Sequence, residues 1–185
     1  LETTVLFTQK GIDSIISSTD YTAETLPDFV SPETRDGDVL LDNERAIFCS
    51  GKHYLPSNQL IPGRTEYGSN KNYIVYRYAE TLLIYAEALL HGATGSGMTA
   101  DQAVNMVRGR AGLAPISGVT LDQVVDEKYA ELAMEWGKRF LDMVRLGRYE
   151  ELSFEGRTFA PDRTFVTYHQ DQIDEFPILM DIINN

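Results

Sequence analysis

A chain of 185 residues that is 43% hydrophobic and holds ten tyrosines is long enough to bury a core and too apolar to remain disordered. Its formal net charge of −12, with acids and bases interspersed, provides no basic stripe for phosphate and argues against general nucleic-acid binding. Cys49 is the single cysteine, so an intrachain disulfide and a thiolate metal cluster are both excluded. No apolar run reaches bilayer-spanning length. The opening Leu1-Glu2-Thr3-Thr4, without an initiator Met, signal peptide or lipid-acceptor Cys, is what a processed protein or a fragment is expected to show.

In chain order, residues 1–72 read as a loop-rich, variable segment with short strands. "TVLFT" has strand character, "DSIIS" suits a short strand or a helical turn, and "AIFCSGKHYLP" reads as a strand closed by Pro56. Between them "LPDFVSPETRDGDVLLDNER" is dense in Pro, Asp and Gly, the composition of a long surface loop, and "PSNQLIPGRTEYGSNKN" is alike. Little helix is expected here. Ordered loops of this length are often functional.

From Tyr73 the apolar spacing becomes helical, and residues 73–185 form the second region, expected to make one structural unit with the first. A helix is predicted over 73–90, ending near Gly92. Thr99 caps a second helix that runs to about Arg110 and stops at Gly112, with Pro115 barring continuation. Thr120 caps a third, predicted over 121–146 with a bend at Gly137. Beyond Glu151 the chain is loop-like again and closes on "EFPILMDIINN", a short extended segment with a final turn. The fold class is therefore mainly α, with long irregular loops and a few short strands. The first two helices suggest an antiparallel pair of the tetratricopeptide kind, although the strict repeat signature is absent.

The first helix carries unusual passengers. "YRYAETLLIYAEALLHG" places Arg77, Glu80 and Glu87 among Tyr78, Ala79, Leu83, Tyr85, Ala86 and Leu90, where a surface helix would separate charge from its apolar stripe. That run, followed by "AVNMVRGRAGL" and "KYAELAMEWGKRFLDMVRLGR", resembles the carboxy-terminal portion of the SusD/RagB family in order and spacing, over about residues 71–149. "FPILMDIINN" is similar to the family's closing Leu-Pro-Ile-Pro segment, with Leu179 in place of the second Pro. The resemblance implies a SusD-like α/α superhelix of tetratricopeptide-like helices. It further implies a lipid-anchored protein of the outer membrane and cell surface, binding a glycan or other nutrient polymer. That polymer would be handed to a TonB-dependent, SusC-like transporter, with no cofactor and no catalysis. Family members usually carry a lipidated Cys and further helix pairs before this region, and this sequence shows neither.

The resemblance also makes the motif charges structural: Arg77, Glu80 and Glu87, then Asn105, Arg108 and Arg110, then Glu131, Glu135, Arg139, Asp142 and Arg145. Arginine's planar fork matches a carboxylate, so interhelical pairs can replace water at both partners. Glu87 is expected to pair with Arg108 or Arg110.

Chemistry-bearing alternatives are weaker. Glu131 and Glu135 have helical spacing and could be a glycosidase pair, but neighbouring Arg and Lys lower a carboxylate pKa, where an acid catalyst needs it raised. His53, His91 and His169 share no ligand spacing, and Asp36, Asp38 and Asp42 lack the EF-hand pattern, so no metal site is encoded locally. Trp136, the single tryptophan, lies inside the third helix's motif, where packing is the expected role. Ligand contact is expected from loop aromatics: Tyr54 and Tyr67, with Phe29 and Tyr21 behind them. A helical-repeat module binding a peptide in its groove is the rival function, and a glycoside hydrolase a more distant one.

Overall fold

The computed structural model describes residues 4–44, 46–62, 71–95, 97–154, 156–160, 168–178 and 180. It is mainly helical and divides into two compact units, Leu1–Trp136 and Gly137–Asn185. The division does not follow the composition change after residue 72. Lys52, in the loop-rich stretch, bonds to Glu131 and Glu135 some eighty residues on, which ties that stretch to the helices.

In the first unit, β1 (Val5–Phe7) and β2 (Phe48–Ser50) pair antiparallel, with Leu6 opposite Cys49. Phe7 and Phe48 meet edge to face, their ring centroids 5.6 Å apart. A two-stranded ribbon is marginal by itself, and α1 (Gln9–Ser18) supports it. This helix is longer than the sequence suggests, where "DSIIS" suits a short strand or a helical turn. Thr8 caps it, accepting from Gly11 N at 3.2 Å, and the Thr8 hydroxyl donates to the Ile47 carbonyl at 3.0 Å. Gly11 lies so close to the strand that a Cβ would fall 2.3 Å from Ile47 O, so only glycine lets the helix dock.

The core joins α2 (Tyr78–Leu90), α3 (Ala100–Arg110) and α4 (Leu121–Glu131). Leu82, Leu83 and Ala86 of α2 meet Ala103, Val104 and Val107 of α3, closed by Val119 and by Val124 of α4. Burying a side chain such as Leu83 is worth roughly 1.5–3 kcal/mol, and small Ala86 and Ala103, both fully buried, permit close helix approach. Both α3 and α4 begin with capping boxes, Thr99 with Gln102 and Thr120 with Gln123, each satisfying two otherwise orphaned donors. The connection between them is clamped by side chains. Asn105 exchanges hydrogen bonds with the Ile116 backbone, and Asp101 accepts from Gly118 and Val119 N.

The predicted helix over 121–146 is two helices. α4 ends at Glu131, and α5 (Lys138–Arg145) opens the second unit. Met134, Trp136 and Gly137 stand in the left-handed region at φ 62°, 35° and 70°. Gly137 adopts this freely, whereas the two side-chain-bearing residues each store roughly 1–3 kcal/mol of strain. The first helix is likewise shorter than predicted, starting at Tyr78, so that Arg77 is its N-cap. In the second unit Met143 is fully buried, Phe140 packs edge-on to Phe159, and Arg139 and Arg148 both bond Glu151. There α6 (Gln170–Glu175), unforeseen in the sequence, is capped by His169.

Candidate functional site

The charges that looked misplaced in α2 begin the site. Arg77 holds Glu135 with both arms of its fork, Nε at 3.0 Å from Oε2 and Nη2 at 2.7 Å from Oε1. It also reaches Glu131, Nη1 to Oε1 at 2.6 Å and Nη2 to the carbonyl at 2.9 Å. Arg110 donates to both oxygens of Glu131 at 2.7 Å, and Lys52 Nζ donates to Glu135 Oε1 at 2.7 Å. Burial alone would push the Glu135 carboxyl up. The hydrogen bonds from Arg77 and Lys52 outweigh it and hold the group below its ordinary value. A general acid needs the opposite shift, and both carboxylates are already engaged by cations. The arrangement is a clasp rather than a glycosidase pair.

Glu80 and Glu87 are also buried, at 4% and 6% exposure. Glu87 is expected to pair with Arg108 or Arg110, and the ion pairs recorded for those two arginines run to other glutamates. Both arginines sit in the last turn of α3 and reach toward α4, Arg108 to Glu127 at 2.7 Å and Arg110 to Glu131. Arg108 additionally donates to Ala114 O at 2.9 Å, which holds it over the α3–α4 connection. In the second unit Asp142 pairs with Arg145 at 2.8 Å and Arg139 with Glu151.

The clasp fixes a loop. Lys52 follows β2, and its carbonyl and that of Tyr54 accept from Lys71 Nζ at 2.9 and 2.6 Å. Thus anchored, Tyr54 turns its hydroxyl onto Asp38 and to within 3.1 Å of the Thr34 hydroxyl. Asp38 also accepts from Ser57 N at 2.8 Å and from the Ser57 hydroxyl. These bonds hold the Asp38 carboxyl below its usual value, while burial and the nearby Asp38 raise the Tyr54 hydroxyl above its own. The loop around Asp38 is itself a tight reversal, with Thr34 N bonded to Asp38 O at 2.8 Å and Leu40 N to Pro32 O at 2.8 Å. Two loops distant in sequence are therefore locked together through one carboxylate.

Between them, and lined also by β1, lies a cavity of about 700 Å³. Phe29 and Tyr54, with the buried Phe7 behind, supply its aromatic surface, and Asp28, Glu33, Arg35 and Asp36 its charges. Phe29 is 36% exposed, so ring surface is open to a ligand. Aromatic faces beside planar hydrogen-bonding groups suit a ligand with an apolar face and many hydroxyls.

Of the aromatics singled out in the sequence, the cavity unites Phe29 and Tyr54. Tyr21 is half exposed and does not line it, and Tyr67 lies outside the described residues. Trp136, expected to be packed, is 49% exposed. Its indole N–H donates to Ile74 O at 3.1 Å, and its ring packs at a tilt against Tyr73 and His53, with centroid distances of 4.5 and 4.7 Å. Asp36, Asp38 and Asp42 read in the sequence as a solvated loop more readily than as a calcium site, and of the three Asp36 lines the cavity. Asp38 is instead the clamp between loops, and Asp42 accepts from Lys10 N at 2.8 Å. Among the described residues no group of three or more His, Cys, Asp or Glu is placed to hold a metal ion.

A mainly helical scaffold that braces an open aromatic and polar cavity, with its glutamates neutralised, has the architecture of a binding protein. The SusD family model matches residues 35–175, and the chain belongs to that family. Among solved structures it is similar to surface glycan-binding protein A from Bacteroides uniformis, with 29% identity and a TM-score of 0.62. That match covers 78% of this chain and 34% of the other, so this chain spans about a third of its length. No curated protein matches.

Proposed function

We propose that this chain captures glycan at the cell surface, holding an oligosaccharide in the cavity between the 28–36 and 51–59 loops. The single observation that carries this reading is the pairing of Phe29 and Tyr54 around a cavity of about 700 Å³ with charged hydrogen-bonding groups beside them. Family membership and the likeness to a surface glycan-binding protein support it. A pyranose ring presents apolar C–H groups to an aromatic face and hydroxyls to carboxylate and guanidinium edges. No bond is made or broken. In the whole protein the ligand passes to a TonB-dependent, SusC-like transporter, and a lipid anchor holds the binding protein at the outer membrane.

The test is calorimetric titration of the chain with a panel of plant and microbial oligosaccharides, followed by Phe29→Ala against the ligand found. The ring is partly open, so its loss is expected to weaken binding at least about tenfold, near 1.4 kcal/mol, with little change in melting temperature. Tyr54→Ala is a poorer probe, because its hydroxyl also ties Asp38 and Thr34 together. Unchanged affinity in Phe29→Ala would remove the cavity as the site.

A further inference from the structure

From the charges around this cavity we infer its ligand class: an uncharged glycan, with uronic or sulfated polymers disfavoured. The inference rests on the glycan-capture reading above and narrows it. Among the described residues Asp28, Glu33 and Asp36 line the cavity against Arg35, three acids to one base, a formal charge of −2. All four side chains are exposed, so they act as a rim in contact with water rather than as a buried cluster. A neutral saccharide uses such carboxylates well, since each accepts hydrogen bonds from ring hydroxyls. A uronate supplies an anion instead, and like charges brought together without a counterion cost affinity.

Among the described lining residues Arg35 is the one group that would welcome a carboxylate. Its neighbour in sequence is Asp36, and Glu33 and Asp28 share the same cavity, so an anion engaging its fork meets the opposing field of all three. A pair of adjacent sugar hydroxyls can also accept from that fork, more weakly than a carboxylate would but without the repulsion. The field of the whole molecule has the same sign, at a formal −12, and it slows the approach of a polyanion before any contact forms.

Matched oligosaccharides decide the matter: gluco-, xylo- and galacto-oligomers against galacturonic-acid oligomers and glucuronic-acid-bearing xylo-oligomers, titrated calorimetrically into the chain at low salt. Neutral ligand is expected to bind at least about tenfold more tightly than its acidic counterpart. That ratio should shrink at 0.5 M NaCl, where the screening length falls below about 5 Å. It should also narrow severalfold in the Asp28→Asn/Asp36→Asn double variant, whatever happens to absolute affinity. Acidic oligomers binding as well as neutral ones, or a ratio that neither salt nor the double variant alters, overturns the inference and leaves glycan capture standing. Binding of neither class overturns both. Neutral binding indifferent to Phe29→Ala moves the site elsewhere and removes this rim as the source of selectivity.

Discussion

Arg77 donates to two carboxylates and a carbonyl, and the Glu131 and Glu135 side chains are 8% and 6% exposed. Taking the guanidinium away leaves both acids shielded from water, with Arg110 and Lys52 as the remaining counterions among the described residues. Loss of one partner from a buried pair is worth about 3–5 kcal/mol, most of it the cost of the charge left behind. Arg77→Ala is expected to lose about 3 kcal/mol in urea unfolding at pH 7, somewhat discounted because the Arg77 side chain is itself 24% exposed. The loss should depend on pH in a definite direction. Glu135 has a folded pKa below its unfolded value, so its contribution is complete above the ordinary glutamate value of 4.5 and disappears as pH falls through the folded value. Parent and variant should therefore converge in stability on acidification. A gap below about 1 kcal/mol at pH 7, or one that persists at pH 2–3, would show that the clasp is a surface decoration.

The break between α4 and α5 is where helical propensity loses to side-chain bonding. Residues 121–146 carry an unbroken apolar period, and only Gly137 hints at interruption. The interruption is held by partners far away in the chain: Arg77 and Lys52 on Glu135, His53 near Met134 O at 3.2 Å, and Ile74 O on the Trp136 indole. None of these is visible to a local reading, and the same reason hid the extent of α1. The spacing of Ile12, Ile15 and Ile16 suits a helix, but Gly11 and the serines speak against it until the Ile47 backbone is seen to require the glycine. By contrast α3 and α4 were legible to the residue at their starts, since Thr-x-x-Gln is a self-contained signal. The candidate site was half legible for a related reason. Loop aromatics announce themselves, whereas the carboxylate joining their loops does so only after folding. Backbone freedom at the break can be tested by an exchange of roles. Gly137→Ala is expected to cost about 1–2 kcal/mol, the left-handed penalty of a side-chain-bearing residue. Met134→Gly, at a position 43% exposed and already left-handed, should stay within about 1 kcal/mol of the parent. Equal losses in denaturant titrations would mean that the break carries no conformational strain.

At the scale of the whole molecule, 28 acids against 16 bases set two electrostatic effects in opposition. Salt weakens attractive ion pairs and also weakens the self-repulsion of a chain far from neutrality. The pairs that matter most here are the least exposed to solvent, with Glu131 and Glu135 almost covered, so salt reaches them poorly. The excess acids include exposed ones such as those around the cavity, and their repulsion is the component that salt removes. Raising NaCl from 10 mM to 150 mM shortens the screening length from about 30 Å to about 8 Å, enough to uncouple charges on different faces of the protein. Relief of about 1 kcal/mol in a domain of this size corresponds to roughly 2–4 °C. The melting temperature at pH 7 is therefore expected to rise by that amount across this salt range. Near the isoelectric point of about 4.6 the net repulsion vanishes, and the same salt step should leave the melting temperature flat or lower it. Calorimetric scans at the two pH values check both halves. A melting temperature that falls with salt at pH 7 would mean that solvent-exposed ion pairs, not the shielded clasp around Arg77, dominate the electrostatics of this protein.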